Sequence, residues 1–421
     1  MARKKAEAPK REFTRRQLSR WQQEKRRQRI VFSIGIFIIV AALCIVGVGW
    51  YIDRYRPMHE TVIKVNDVEF DMDYYVKMLK HYGESQSQEY TIPLADNVVD
   101  IIERTELMRQ GSLELGISVS DDEVDEKRNS VDPPLSDDYI DIIAPQMLYD
   151  KLRNEYFSTQ VPEYGEQRQI MAMLLESEGE AAKVRARLVA GEDFTKLAGE
   201  LSLETSSKAK EGDFGWRVEG ILTMILSTAV PDDYAFSRET ETLSQPIRDE
   251  EINKTVGYWL VKVLQRDEET QQALVQVILV GSVEEAQDVR SRLAAGEDFD
   301  ALVQELSQND MTRENEGQLD ITSPDMMGEA FSKFVFDSEI ELGTVSEPIR
   351  EDVALTKGGY WLVEVVGVDD NRIIEDEDRE ILKTDAFNKW VEALLDNPEN
   401  KVENYLDDEK KAWAIRQAGG S

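Results

Sequence analysis

Histidine and cysteine are almost missing from this 421-residue chain, which holds two histidines, His59 and His81, and one cysteine, Cys44. A single cysteine excludes an intrachain disulfide and a thiolate metal centre. With so few histidines there is no metal cluster of the usual spacing and no Ser/His/Asp arrangement. No Gly-rich phosphate loop follows a strand-like run either. Hydrolase, oxidoreductase and nucleotide-dependent readings therefore lack their signatures, and neither a cofactor nor a metal is expected.

Long apolar runs are absent with one exception, Ile30–Ile52, which is 23 residues without a charge. That length crosses ~30 Å of hydrocarbon at about 1.5 Å per residue, so a transmembrane helix is expected. A cleaved secretory signal would have a shorter apolar core and a small-x-small site. Cys44 lies inside the run behind Leu43, without the small residue that precedes a lipoprotein cysteine, and reads as lipid-facing.

Basic residues are scarce beyond the start. Residues 1–29 hold 12 Lys or Arg against 3 Glu, which leaves 38 basic and 81 acidic residues downstream, about −43 there against −34 for the whole chain. The positive-inside rule then puts residues 1–29 in the cytoplasm and the bulk of the chain outside the cell membrane, single-pass. The basic tail next to the anchor suits anionic lipid headgroups, at ~1 kcal/mol per Lys or Arg. No nucleic-acid partner is expected. Acidic runs such as Glu375-Asp376-Glu377-Asp378 lack the spacing and glycine of a calcium loop and read as solvated faces.

What the sequence does have is a repeat. Val184–Ser202 matches Val289–Ser307 at 13 of 19 positions, at an offset of 105. Gly257-Tyr258-Trp259-Leu260-Val261 returns as Gly359-Tyr360-Trp361-Leu362-Val363, and Gln245-Pro246-Ile247-Arg248 as Glu347-Pro348-Ile349-Arg350, both at 102. Two homologous units of about 100 residues are expected.

Each repeat opens with a strand-like run, Ile170–Leu175 or Leu274–Val280, followed by a helix stopping at Gly191 or its counterpart. A second helix follows Asp193, with Phe194, Leu197, Ala198 and Leu201 in one apolar stripe that Phe299, Leu302, Val303 and Leu306 copy. Short β-rich runs, Tyr258–Val263 and Tyr360–Val365, close each unit, so the fold class is α+β. Ahead of the repeats, Val62–Phe70 predicts a hairpin turning at Asn66-Asp67, and Ser120 with Glu123 a capping box.

The repeats resemble the parvulin peptidyl-prolyl isomerases, whose pattern runs His-Ile-Leu-Val, a helix, Gly-x-x-Phe, Leu-Ser, Gly-Gly-Asp-Leu-Gly and a last Gly-Tyr-His-Ile strand. The N-terminal hairpin and Leu107–Ser120 resemble the helical domain of SurA- and PrsA-type chaperones, and Phe387–Leu395 their C-terminal helix. The expected organisation is a cytoplasmic tail over 1–29, a transmembrane helix over 30–52 and a helical chaperone-like domain over 60–160. Parvulin-like domains are expected over 165–268 and 270–368, and a C-terminal helical segment over 372–421.

The resemblance implies rotation about X-Pro bonds, a barrier of ~20 kcal/mol that needs no cofactor. The family's histidines are missing: the first falls on Ala172 or Met173 and on Val277, the last on Trp259 and Trp361. The acid after Leu-Ser falls on Glu204 and on Asn309 or Asp310, so Glu204 and Asp310 are the catalytic candidates that the resemblance names. Proline-pocket candidates are Leu319, Met327 and Phe331 in the second repeat, Phe214 and Phe236 in the first. The resemblance points to a membrane-anchored foldase binding unfolded or nascent exported polypeptides, with the translocon as a further partner. The alternative is a non-catalytic chaperone or a translocon-associated module on a degenerate parvulin scaffold.

Overall fold

The computed structural model describes residues 37, 41–83, 92–238 and 242–419. The expected cytoplasmic tail and most of the first half of the expected membrane span lie outside the described residues. Phe37 and residues 41–50 are helical, and the chain continues through Tyr51–Tyr55 into Arg56–Met58. Among the described residues no helix is long and apolar enough to cross a membrane. Of the described residues, those up to Tyr156 and those from Phe387 onward form one compact unit, and those between Phe157 and Ala386 the other.

Among the described residues ten strands follow in chain order: β1 Thr61–Val65, β2 Val68–Asp71, β3 Tyr164–Leu175, β4 Asp213–Arg217, β5 Thr242–Leu243, β6 Ile247–Asp267, β7 Gln272–Val280, β8 Gln318–Ile321, β9 Ile349–Ile373 and β10 Val402–Asn404.

In the first unit β1 and β2 form the predicted hairpin, with Asn66 in the left-handed region that its turn needs. β10 pairs with the other side of β1. Helices Met72–Gly83 and Asp408–Gly419 bring Tyr75, Leu79 and Ala414 onto Ile63 in a core free of solvent. The Tyr75 hydroxyl donates to the Ala95 carbonyl at 2.9 Å, so the buried phenol is satisfied. The Ser120–Glu123 capping box forms in both directions and starts helix Asp121–Asn129.

The second unit is built on one sheet in the order β4-β3-β9-β6-β7-β8, with β5 against β9. Each repeat supplies the predicted helices. Asp193 and Asp298 cap Phe194–Leu201 and Phe299–Leu306 by accepting from the Lys196 and Ala301 amides. Their apolar stripes pack on one sheet face, Phe194, Leu197 and Ala198 against Met173 and Leu362, and Phe299, Leu302 and Val303 against Leu260 and Ile278.

The closing runs are not the short strands expected. β6 spans 21 residues and β9 spans 25. Their C-terminal halves leave their own repeats. β3, the opening strand of the first repeat, pairs with β9 of the second, Ala172 opposite Val363 and Leu174 opposite Trp361. β7, the opening strand of the second repeat, pairs with β6 of the first, Val277 opposite Val261 and Leu279 opposite Trp259. Between these ends the two long strands cross antiparallel, Ile247 opposite Trp361, Lys254 opposite Thr356 and Trp259 opposite Ile349. The sheet regions at 165–268 and 270–368 are thus not separate: each half is completed by the other repeat's last strand.

Candidate peptide-binding sites

The sheet face away from the stripe helices carries the candidate site of each repeat. In the first, Ala172 and Leu174 of β3, Phe214 of β4 and Trp361 of β9 meet helices Ile221–Leu226 and Val230–Phe236. In the second, Val277 of β7 and Trp259 of β6 meet Phe331 of helix Glu329–Val335, with Leu319 and Met327 packed at the margin. Ala172 and Val277 occupy matching registers, so Ala172 rather than Met173 stands at the first histidine position. Met173 faces the stripe helices instead.

Both sites are filled by indoles. Trp361 has no exposed surface, and its Nε1 donates to Asp249 Oδ2 at 3.0 Å. Trp259 is 5% exposed and meets Phe331, 1% exposed, edge-to-face at 6.1 Å between ring centroids. The indole on Phe331 therefore comes from the first repeat, not from Trp361. The Trp259 N–H is buried and meets no acceptor among the described residues, a donor in an apolar site that water or a ligand carbonyl would satisfy.

Phe214 is 1% exposed and belongs to the same core cluster as Trp361. Phe236 ends its helix half-buried, with the Arg168 guanidinium 5.3 Å over its ring. That guanidinium is paired with Glu166 but keeps Nε and one terminal nitrogen without partners.

The two acid candidates stand apart. Glu204 is the N-cap of Thr205–Ala209, its carboxylate accepting from the Ser206 amide at 2.9 Å and from the Ser207 amide. Its structural counterpart is Asn309, which caps Asp310–Arg313 by accepting from Thr312. Asp310 is an exposed first-turn residue paired with Arg313. The Leu-Ser serines serve the backbone, since Ser202 and Ser307 Oγ accept from the amides of Leu174 and Leu279 and hold the strands opposite the indoles.

Beside Glu204 a cavity of about 350 Å³ is lined by Leu203, Ile225, Leu226, Ile252, Lys254 and Leu355. Lys254 lies 3% exposed at the strand crossing, and its ammonium donates to the carbonyls of Lys357 and Gly358. Burial pulls its pKa down from 10.5 to about 8. Asp249 is the other residue that the sequence pattern did not single out. Besides Trp361 it accepts from the Thr228 hydroxyl at 2.6 Å and the Ile252 amide at 3.2 Å. The signal was available, since its repeat counterpart at the offset of 102 is another acid, Glu351.

The rotamase family of PPIC-type PPIase domains matches residues 169–265 and 280–366. These two regions are parvulin-type domains, and the chain that carries them is similar to SurA and PrsA proteins. Chaperone SurA of Chromohalobacter salexigens is 28% identical over 259 residues, which cover 57% of this chain and 52% of that protein. Foldase protein PrsA of Caldanaerobacter subterraneus subsp. tengcongensis is 27% identical over 190 residues, 42% of this chain and 59% of that one. The chain thus spans about half to three fifths of those relatives. The crystal structure of the peptidylprolyl isomerase PrsA from Bacillus anthracis aligns with 75% of this chain and 93% of its own at 13% identity and a TM-score of 0.28.

Proposed function

We propose that this parvulin-type chain is a membrane-anchored extracytoplasmic folding factor that holds unfolded exported polypeptides without efficient X-Pro isomerisation. The observation that carries the reading is the pair of buried indoles, Trp361 on Phe214 and Trp259 on Phe331, standing where the family places histidine. A parvulin lowers the rotation barrier by seating proline in an apolar pocket and offering polar groups that fit the twisted imide. Here both pockets hold tryptophan, and the Glu204 carboxylate is committed to a helix N-terminus. The anchor rests on Ile30–Ile52 and on the basic residues before it.

The test sets two assays side by side on the full chain in detergent: cis-to-trans relaxation of X-Pro peptides and suppression of aggregation of a chemically unfolded protein. Aggregation suppression without rate acceleration is the expected result. Acceleration that Phe331→Ala or Met327→Ala abolishes would replace this reading with a histidine-free isomerase, whose one supporting feature is the unpartnered Trp259 donor in the second site. Protease added outside intact cells is expected to remove everything beyond Ile52.

A further inference from the structure

The crossing of β6 and β9 assigns residues to sites in a way that their order in the chain does not. We infer that the two parvulin-type repeats act as one strand-exchanged unit with composite sites: Trp361 belongs to the Phe214 site, Trp259 to the Phe331 site, and Lys254 fixes the crossing that puts them there. The part concerning sites that contact polypeptide rests on the function proposed above, whereas the exchange itself does not.

Three sets of contacts argue for it. First, the pairings of β3 with β9 and of β7 with β6 run the whole length of both opening strands, and the hydrophobic side chains on both faces of the sheet are shared accordingly. Val363 and Val365 join the Phe214 cluster, and Val261 and Val263 join the Phe331 cluster. Second, β5 of the first repeat pairs with β9 at Thr242–Leu243, and its counterpart Val345 bridges to Lys262 of β6, so even the minor strands follow the exchange.

Third, the crossing carries polar bonds that exist only between repeats. Lys254 donates to carbonyls 357 and 358, Thr356 Oγ1 to the Val256 carbonyl, and Lys357 pairs with Glu251 at 2.8 Å. Lys254 and Thr356 face each other at the centre, both buried. A buried lysine with its donors placed on the carbonyls of a partner strand is costly in any other register, because its charge would then lie unpaired in the sheet. Such a group specifies one arrangement among several of similar burial. The alternative it selects against is the one in which each repeat folds its long strand back as a hairpin and closes on itself.

The exchange is read directly by cysteine pairs in a Cys44→Ser background, which removes the chain's only cysteine. Ala172→Cys with Val363→Cys, and Val277→Cys with Val261→Cys, are expected to oxidise to intrachain disulfides. The same opening strands paired within their own repeats, Ala172→Cys with Val261→Cys and Val277→Cys with Val363→Cys, are expected to remain thiols. The reverse pattern overturns the inference.

A second readout uses denaturation midpoints. Phe214→Ala is expected to be non-additive with Trp361→Ala, and Phe331→Ala with Trp259→Ala, whereas Phe214→Ala with Trp259→Ala adds. Coupling within each repeat instead would sink the composite sites. Affinity for reduced, carboxymethylated lactalbumin measured on these variants separates the two claims. At least a threefold loss in each of the four single variants is expected. Unchanged affinity throughout would remove the sites from polypeptide binding and leave the exchange standing on the disulfide pattern.

Discussion

The indole N–H of Trp361 and the buried carboxylate of Asp249, 3.0 Å apart, join two residues 112 positions distant across the boundary between the repeats. Asp249 also holds Thr228 and the amide of Ile252, so one side chain fixes the exchanged strand, a helix-preceding loop and the hinge of β6. Asp249→Ala would leave an indole and a backbone donor buried without acceptors, at roughly 3 kcal/mol by the cost of unsatisfied groups. Glu351, at the corresponding hinge, makes no comparable bonds among the described residues, and Glu351→Ala is expected to cost under about 0.5 kcal/mol. Urea denaturation followed by tryptophan fluorescence compares the two, and equal losses would refute the assignment.

The two tryptophans should respond differently to the same change. Trp361→Phe removes a donor from a buried carboxylate, while Trp259→Phe removes an N–H that has no partner. Both lose similar packing area, so the difference isolates the hydrogen bond, and Trp361→Phe is expected to be the more destabilising by about 1 to 3 kcal/mol. Matching melting temperatures for the two variants would show the Asp249 bond to be energetically silent.

Lys254 gives the chain a stability that rises with pH. Its folded pKa of about 8 lies below the unfolded 10.5, so between these values the unfolded chain holds a proton that the folded chain has released. The unfolded state then binds more protons, and stability increases as pH goes up. At about 1.4 kcal/mol per unit, raising pH from about 7.5 to 9.5 should add roughly 2 kcal/mol. In Lys254→Met the slope over that window should vanish. A flat profile in the unsubstituted chain would contradict the buried, desolvated lysine.

Most of the local structure was legible from spacing. The apolar stripe beginning at Phe194, the helix start after Asp193, the Asn66 hairpin and the Ser120 capping box all follow from short-range rules that nothing distant overrides. The exchange was not legible, for a physical reason. Both closing strands carry Gly-Tyr-Trp-Leu-Val, so either one fits either half of the sheet, and alternation of apolar residues is identical in both pairings. What decides between them is the conformation of Ile247–Val256 and Ile349–Gly358, extended through an irregularity in register on each strand rather than turned. At Glu204 two local uses share one pattern, since an acid after Leu-Ser satisfies a helix cap as well as it fits the family's acid position.

Gly317 tests the close approach of β7 to its stripe helix. It sits at φ +79°, and a Cβ there would lie 2.8 Å from both the Val277 carbonyl and Val303 Cγ2. Neither neighbour can retreat, since Val277 N donates to the Gly317 carbonyl and Val303 packs in the stripe-helix core. Gly317→Ala therefore combines a left-handed backbone with a clash in the sheet, and roughly 3 kcal/mol or more is expected. Gly191, at φ +94° with open space around it, carries only the backbone part, so Gly191→Ala should cost about 1 kcal/mol. Measured by chemical denaturation, the gap between these variants reports the packing of β7 on its helix. If the two losses were equal, the tight contact at Gly317 would not exist in solution, and β7 would have to pack more loosely on the stripe helix than described.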